Sequence, residues 1–356
     1  MRVLVAMSGG VDSSVAAALL AERLGPDRVV GATLKLWGGS SDSGCCSVAD
    51  VEDARRVADQ LGLVHRVFNF TEEFDRRVVS PYVEGHAAGR TPNPCIECNR
   101  HLKFDRLFDR ARALGFDAVA TGHHARRATT VDGSHRLLRG ADPAKDQSYV
   151  LSMLGQDQLA RSLFPVGELT KAQVRAEATR LGLRTADKPD SQEVCFIRSD
   201  EGRRGFLGER LPLHDGRLVD HDSGEDLGPV AAVELVTVGQ RRGMGHGHDG
   251  RRRYVTAVDV PTRRVRVGPP EAADSPGVDL HTVTWVDADA GRRSPFAAVA
   301  QCSAHGRPAG CTVRPVGDGT LSVTFDAPQR RIAPGQTVAL YDAAEPDRVV
   351  GSGIAA

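Results

Sequence analysis

The stretch Val3-Leu4-Val5-Ala6-Met7-Ser8-Gly9-Gly10-Val11-Asp12-Ser13-Ser14 decides the fold. Five apolar residues in an unbroken run suit a strand of a parallel sheet, buried on both faces, because a half-exposed strand would alternate apolar and polar residues. The run stops at Ser8-Gly9-Gly10, and an Ala/Leu-rich stretch from Ser13 to Leu24 follows. Strand, glycine turn and helix in that order point several backbone N–H groups, and the positive end of a helix dipole, at one place. That geometry suits a phosphate or pyrophosphate. No Gly-Lys-Ser/Thr follows and the glycines are not spaced Gly-x-Gly-x-x-Gly, so the loop is neither a Walker loop nor a dinucleotide fingerprint. A plain strand-to-helix turn capped by Asp12 or Ser13 is the other use of the same residues.

Outward from this loop the alternation continues. Val29 to Leu36, Val64 to Phe68 and Ala118 to Thr121 read as strands, with helices at Val51 to Leu61 and Phe104 to Leu114 between them. The expected fold class is α/β, a doubly wound parallel sheet with its ligand crevice at the carboxyl ends of the strands. After about Phe206 the texture changes to short β-rich runs broken by glycine, as in Asp215-Gly216 and Asp222-Ser223-Gly224. The clearest hairpin joins Cys311-Thr312-Val313 to Leu321-Ser322-Val323-Thr324-Phe325 through Gly317-Asp318-Gly319, and Val338-Ala339-Leu340 supplies a further strand. Three parts are expected: a catalytic domain over 1–205, a small β-rich middle domain over 206–275 and a C-terminal β-barrel over 276–356.

A chain of 356 residues with 40% hydrophobic and 26% charged content suits a folded protein of two or three domains. No apolar run approaches the roughly 18 residues of a spanning helix, and the N-terminal run is too short for a signal peptide, so a cytoplasmic protein without a membrane role is expected. Lys+Arg 46 balances Asp+Glu 46, so any nucleic-acid surface must be a local patch. Arg203-Arg204, Arg241-Arg242, Arg251 to Arg253 and Arg263-Arg264 could build one, or could simply be solvated surface.

The seven cysteines do not look like a secreted disulfide framework. Cys95 and Cys98 stand in the proline-stiffened Thr91-Pro92-Asn93-Pro94-Cys95-Ile96-Glu97-Cys98-Asn99, where stiffness favours a positioned reactive group. Cys195 lies in Asp190-Ser191-Gln192-Glu193-Val194-Cys195-Phe196 with no neighbouring thiol. Cys45-Cys46, in a glycine/serine-rich stretch, receives no assignment.

Ser8 to Ser14 resembles the loop of the ATP pyrophosphatase superfamily. With Asn93-Pro94-x-x-x-Cys98-Asn99, Ala120-Thr121-Gly122-His123, Lys145-Asp146-Gln147-Ser148-Tyr149, Ser191 to Phe196 and Pro334-Gly335-Gln336, the chain resembles the tRNA-specific 2-thiouridylase family over most of its length. The resemblance implies ATP-dependent 2-thiolation of the wobble uridine of tRNA, in which the carbonyl oxygen at carbon 2 is adenylated and sulfur arrives from a protein persulfide. It implies catalytic roles for Cys98 and Cys195, with the persulfide on Cys195, and a Cys98–Cys195 disulfide at the end of turnover. The matching ATP contacts are Ala6, Met7, Ser8, Gly9, Gly10, Val11, Asp12, Ser13, Leu34 and Gly122. The matching tRNA contacts are Asn93, Pro94, Cys95, His123, Lys145, Asp146, Gln147 and Gln336. ATP with Mg2+ is the implied cofactor set, and a cysteine desulfurase or sulfur-relay protein the implied donor.

Two departures from the family pattern stand out. Many members carry Asp where this chain has Cys95, which removes a carboxylate and leaves three thiols, Cys95, Cys98 and Cys195, that could hold an iron–sulfur cluster. In the barrel, Ser303-Ala304 and His305 do not supply the family's basic and aromatic pair. Two rival readings remain open: a ligase or amidotransferase of the same superfamily acting on a small molecule, and a non-catalytic RNA-binding or sulfur-carrier protein.

Overall fold

In the computed structural model, residues 38–46, 191–193, 199, 248 and 318 lie outside the described residues. Cys45-Cys46, Ser191-Gln192-Glu193 and the Asp318 of the expected hairpin turn are therefore not placed.

Strands β1 (Val3–Ala6), β2 (Val29–Lys35), β3 (Val64–Asn69), β4 (Ala118–Ala120) and β7 (Ser162–Leu163) form one parallel sheet in the order β3-β2-β1-β4-β7. Val3, Leu4 and Val5 are fully buried, as an unbroken apolar run on a central strand requires. Helix α1 (Val11–Leu24) leaves β1 and packs its Val15, Ala16, Ala17 and Ala18 into the core on one face. Helix α2 (Val48–Gln60) joins the same core through Ala54, Val57 and Ala58. The opposite face is covered by Phe74, Leu102, Leu107, Phe196 and Phe206. Both faces are thus sealed, as a parallel sheet demands.

The strand order reverses between β1 and β4, so the loops after these two strands diverge to opposite faces and open a crevice between them. Backbone meets backbone there. A Cβ on Gly122 would stand 2.6 Å from Ser13 N and 2.7 Å from Asp12 C, and one on Gly9, whose φ is +75°, would stand 2.3 Å from Asp50 O. Glycine is required at both places because no larger residue lets the loops touch.

A second sheet, β10 (Tyr254–Asp259), β11 (Arg264–Gly268), β8 (Gly216–Asp220) and β9 (Asp226–Val230), encloses its own small core of Leu218, Val233, Val255, Val265 and Val267. The third sheet closes on itself. Strands β12 (Asp274–Trp285), β15 (Thr320–Arg330), β14 (Ala309–Gly317), β13 (Phe296–Gln301), β16 (Thr337–Asp342) and β17 (Arg348–Ala355) pair in that order, and β12 also pairs with β17. Closure removes both edges of this six-stranded barrel. The expected hairpin is present with Cys311 opposite Phe325 and Val313 opposite Val323.

One feature crosses the sequence order. Strands β5 (Ala125–Thr129) and β6 (His135–Arg139), which lie in sequence between β4 and β7 of the parallel sheet, pair with each other, and β6 joins β17 through Leu138–Arg348 and Leu137–Val349. Among the described residues, no helix is long and apolar enough to cross a membrane.

Gly122→Ala is expected to lower the unfolding free energy by about 1–3 kcal/mol through overpacking against α1, read as a lower urea midpoint at unchanged m-value. An alanine variant as stable as wild type would show that the loops do not need this close approach.

Candidate active site

Helix α1 begins at the crevice. Its N-cap, Gly10, is extended and has no side chain, so no side chain caps the helix, whereas the alternative reading of this turn had Asp12 or Ser13 doing so. Ser13 is instead turned back: its Oγ accepts from Ser8 N at 3.2 Å and donates to Gly10 O at 3.1 Å, which fixes the Ser8-Gly9-Gly10 turn. The first-turn amides and the positive helix end face the crevice. Leu34 is buried on β2, Ala6 ends β1, and the buried Met7 follows it.

Asp12 does not cap α1; Lys171 and His124 hold it. Lys171 Nζ lies 2.7 and 2.8 Å from its two oxygens, and His124 Nε2 lies 3.1 Å from Oδ1. Lys171 also meets Asp190 Oδ1 at 2.7 Å, and Asp190 in turn meets Lys145 Nζ at 2.8 Å and Arg175 Nη2 at 3.0 Å. A continuous line of ion pairs therefore runs Asp12–Lys171–Asp190–Lys145, with His124 hydrogen-bonded at its Asp12 end. Burial would raise the carboxyl of Asp12, but the hydrogen bonds from His124 and Lys171 outweigh it and hold it below the usual carboxylate range. Burial likewise opposes ionisation of Asp190, yet Lys145 and Lys171 hold it down at about 2. Beside this chain, Lys188 clamps Asp50 at 2.6 Å and Asp53 at 2.8 Å, fixing the start of α2 behind Gly9.

The cysteine loop is pinned by three parts of the chain. Asn93 caps the short helix Pro94–Cys98, its Oδ1 accepting from Cys95 N at 3.1 Å and Ile96 N at 3.3 Å. Pro92 packs on Gly85 of the catalytic domain, where an added Cβ would come within 2.7 Å. Thr91 Oγ1 donates to Thr237 Oγ1 of the middle domain at 3.4 Å. From the barrel, Pro334 O accepts from Thr91 N at 2.8 Å and Gln336 Nε2 donates to Thr91 O. Cys98 is buried in the apolar cluster that contains Leu102, Val119 and Phe196, and Cys195 packs against that same cluster. Two thiols far apart in sequence thus border one core.

The remaining expected contacts are placed as follows. Pro94 is buried and Cys95 exposed. His123 is 9% exposed, its Nδ1 2.7 Å from Thr121 Oγ1, with rings of Phe104 and Phe164 beside it. Burial above all, with Lys103 and His124 adding, holds its imidazole well below the ordinary range, so it is neutral. Asp146 is turned inward, bonded to Arg139 at 2.7 Å, Ser148 Oγ at 2.9 Å and the amides of Gly140 and Ser148 at 3.0 Å. Gln147 accepts from His124 N at 2.8 Å. Lys145 stays partly exposed while meeting Asp190. Of the arginine runs, Arg253 and Arg203 are half-buried, Arg203 donating to Leu235 O at 2.9 Å, and the others are exposed.

The iron–sulfur expectation is not supported. Among the described residues, no three His, Cys, Asp or Glu side chains gather as a metal-holding group. The physical reason is environment: Cys98 and Cys195 border an apolar core, while Cys95 points to solvent.

Sequence reading missed His124, Lys171 and Arg175, and gave Asp190 no role. The Thr170-x-x-Gln173 capping box, in which Thr170 Oγ1 accepts from Gln173 N and Gln173 Oε1 from Thr170 N, marks the start of the helix Lys171–Arg180. Nothing local says that Lys171 reaches back to residue 12.

Because the pKa of Asp190 is depressed on folding, its contribution is complete above the unfolded value near 3.8 and is lost as pH falls through about 2. Asp190→Asn should cost about 1 kcal/mol at neutral pH, after allowing for partial screening, with the gap to wild type closing between pH 4 and 2. Thermal unfolding across that range checks it, and a gap independent of pH would refute the ion-chain account.

Comparison with known proteins agrees along the whole chain. The profile described as tRNA methyl transferase HUP domain matches residues 1–199, the tRNA methyl transferase PRC-barrel domain 204–269, and the aminomethyltransferase beta-barrel domain 276–355. The tRNA-specific 2-thiouridylase MnmA of Roseiflexus castenholzii is 46% identical, with 96% of each chain covered. Those of Mycobacterium avium and Rhodococcus erythropolis are 47% and 45% identical, covering 99% of this chain and 98% and 97% of theirs. With a parallel-sheet domain, a PRC-barrel-type middle domain and a closed barrel in matching order, the chain belongs to the tRNA-specific 2-thiouridylase family.

Proposed function

We propose that this protein thiolates carbon 2 of the wobble uridine of tRNA at the expense of ATP. The observation that carries the reading is the junction of an uncapped α1 N-terminus at the sheet's switch point with two cysteines that border one core beneath the same sheet. Two profile descriptions speak of methyl transfer, but paired thiols and a pyrophosphate-type loop suit sulfur chemistry driven by adenylation.

The carbonyl oxygen of uridine is a poor leaving group. Adenylation converts it to AMP, and pyrophosphate departs into the Ser8–Ser13 loop, where amides and the helix dipole meet its charge. Ala6 to Ser13, Leu34 and Gly122 form the walls for the nucleotide. No described carboxylate set forms a magnesium cage, and Asp12 is already shared by Lys171 and His124, so Mg2+ would come on the nucleotide's own phosphates.

A persulfide on Cys195, delivered by a cysteine desulfurase or relay protein, attacks carbon 2 through its terminal sulfur and AMP leaves. The Cys98 thiolate then attacks the Cys195 sulfur, which releases 2-thiouridine and forms a Cys98–Cys195 disulfide. A thiol reductant reopens it, so turnover suits a reducing compartment such as the cytoplasm. The base must leave the anticodon stack to reach this point. Asn93, Pro94 and Cys95 would face it, while the loop of Lys145, Asp146 and Gln147, with His123 and Gln336, would shape the tRNA side. In that reading Asp146 and Gln336 act by holding backbone in place, and His123 is bonded inward to the Thr121 hydroxyl.

The test is mass analysis of nucleosides from tRNA incubated with ATP, magnesium, a cysteine desulfurase and cysteine. Thiolated uridine is expected with wild type and a loss of at least a hundredfold with Cys98→Ala or Cys195→Ala. Unchanged product in both variants would remove the proposed roles of the two cysteines.

A further inference from the structure

Lys171 opens the helix Lys171–Arg180, and its side chain is only 12% exposed, yet its ammonium stands beside the second residue of α1. Each carboxylate that it touches has a further hydrogen-bond partner. Asp12 keeps His124 at 3.1 Å, and Asp190 keeps Lys145 at 2.8 Å and Arg175 at 3.0 Å. Lys171 can therefore leave either one without stranding a half-buried charge, which would otherwise oppose its departure.

The other partners of these carboxylates lack this freedom. Arg175 is tied to Ala186 O at 2.6 Å and Lys188 O at 3.1 Å, and the His124 ring is 2% exposed with one edge on Asp12. Lys145 lies one carboxylate further from the loop. Lys171 alone of these four combines a flexible stem, a replaceable set of partners and contact with the first turn of α1.

We propose that Lys171 is a ligand of the pyrophosphate end of the nucleotide, passing from Asp12 to a phosphoryl oxygen while His124 retains Asp12. The proposal rests on the ATP reading and deepens it. The more highly charged phosphate outbids a single carboxylate for the ammonium, and the exchange costs the protein no unpaired group.

Equilibrium binding of ATP, inorganic pyrophosphate and AMP to the full chain tests this, comparing wild type with Lys171→Gln and Lys171→Arg. Lys171→Met, which keeps the packed stem, serves if the glutamine variant does not fold. The neutral variants should bind ATP and pyrophosphate roughly 10- to 100-fold more weakly and AMP within about twofold of wild type. Lys171→Arg should recover most of the loss. Equal weakening for all three ligands would make Lys171 a strut between helices and overturn the proposal, as would unchanged affinity. Wild type that binds none of the three would instead remove the ATP reading itself, and the proposal with it.

Discussion

The site depends on a line of ion pairs through residues 12, 171, 190 and 145, to which His124 adds a hydrogen bond on Asp12. Each carboxylate on it has two or more hydrogen-bond partners. A single half-buried ion pair contributes little because desolvation consumes most of the attraction. Asp12, Lys171 and Asp190 each have more than one partner, so displacing one contact leaves none of the three bare. That redundancy holds the start of α1, the loop after β4 and the approach to Cys195 in one frame.

A second constraint acts on the cysteine loop. Thr91 and Pro92 touch the catalytic domain, the middle domain and the barrel at once, so the short helix carrying Cys95 and Cys98 is positioned by contacts from all three. The barrel is no appendage. Strand β17 completes it through β12 and, at its other end, pairs with β6 from the catalytic region, while Tyr149 Oη donates to Thr337 O and Ser148 Oγ lies 2.9 Å from Tyr341 Oη in buried surroundings. Buried polar contacts of this kind fix orientation because leaving either partner unpaired is costly.

Much of the fold was legible residue by residue. The run Val3 to Met7 reads as a central strand because it must be apolar on both faces, and the Cys311–Phe325 hairpin reads from alternation around glycines. The glycines of the loop were legible as a tight turn, though not what they approach: Gly9 meets Asp50, 41 positions away, and Gly122 meets α1. Periodicity also could not say that β5 and β6 leave the parallel sheet for the barrel, because strand propensity carries no information about which sheet accepts an edge.

The sequence by itself determined the local geometry: a buried strand, a glycine turn, a helix start after it, a proline-stiffened thiol segment and a run of short strands. These follow from backbone sterics and from period, which act over a few residues. Only the tertiary structure decided that Asp12 is bound by Lys171 and His124 rather than capping its helix, that Asp146 turns inward, and that Cys98 and Cys195 border one apolar cluster. Charge pairing and burial depend on distances through space, and those are set when the sheet winds and brings remote positions together.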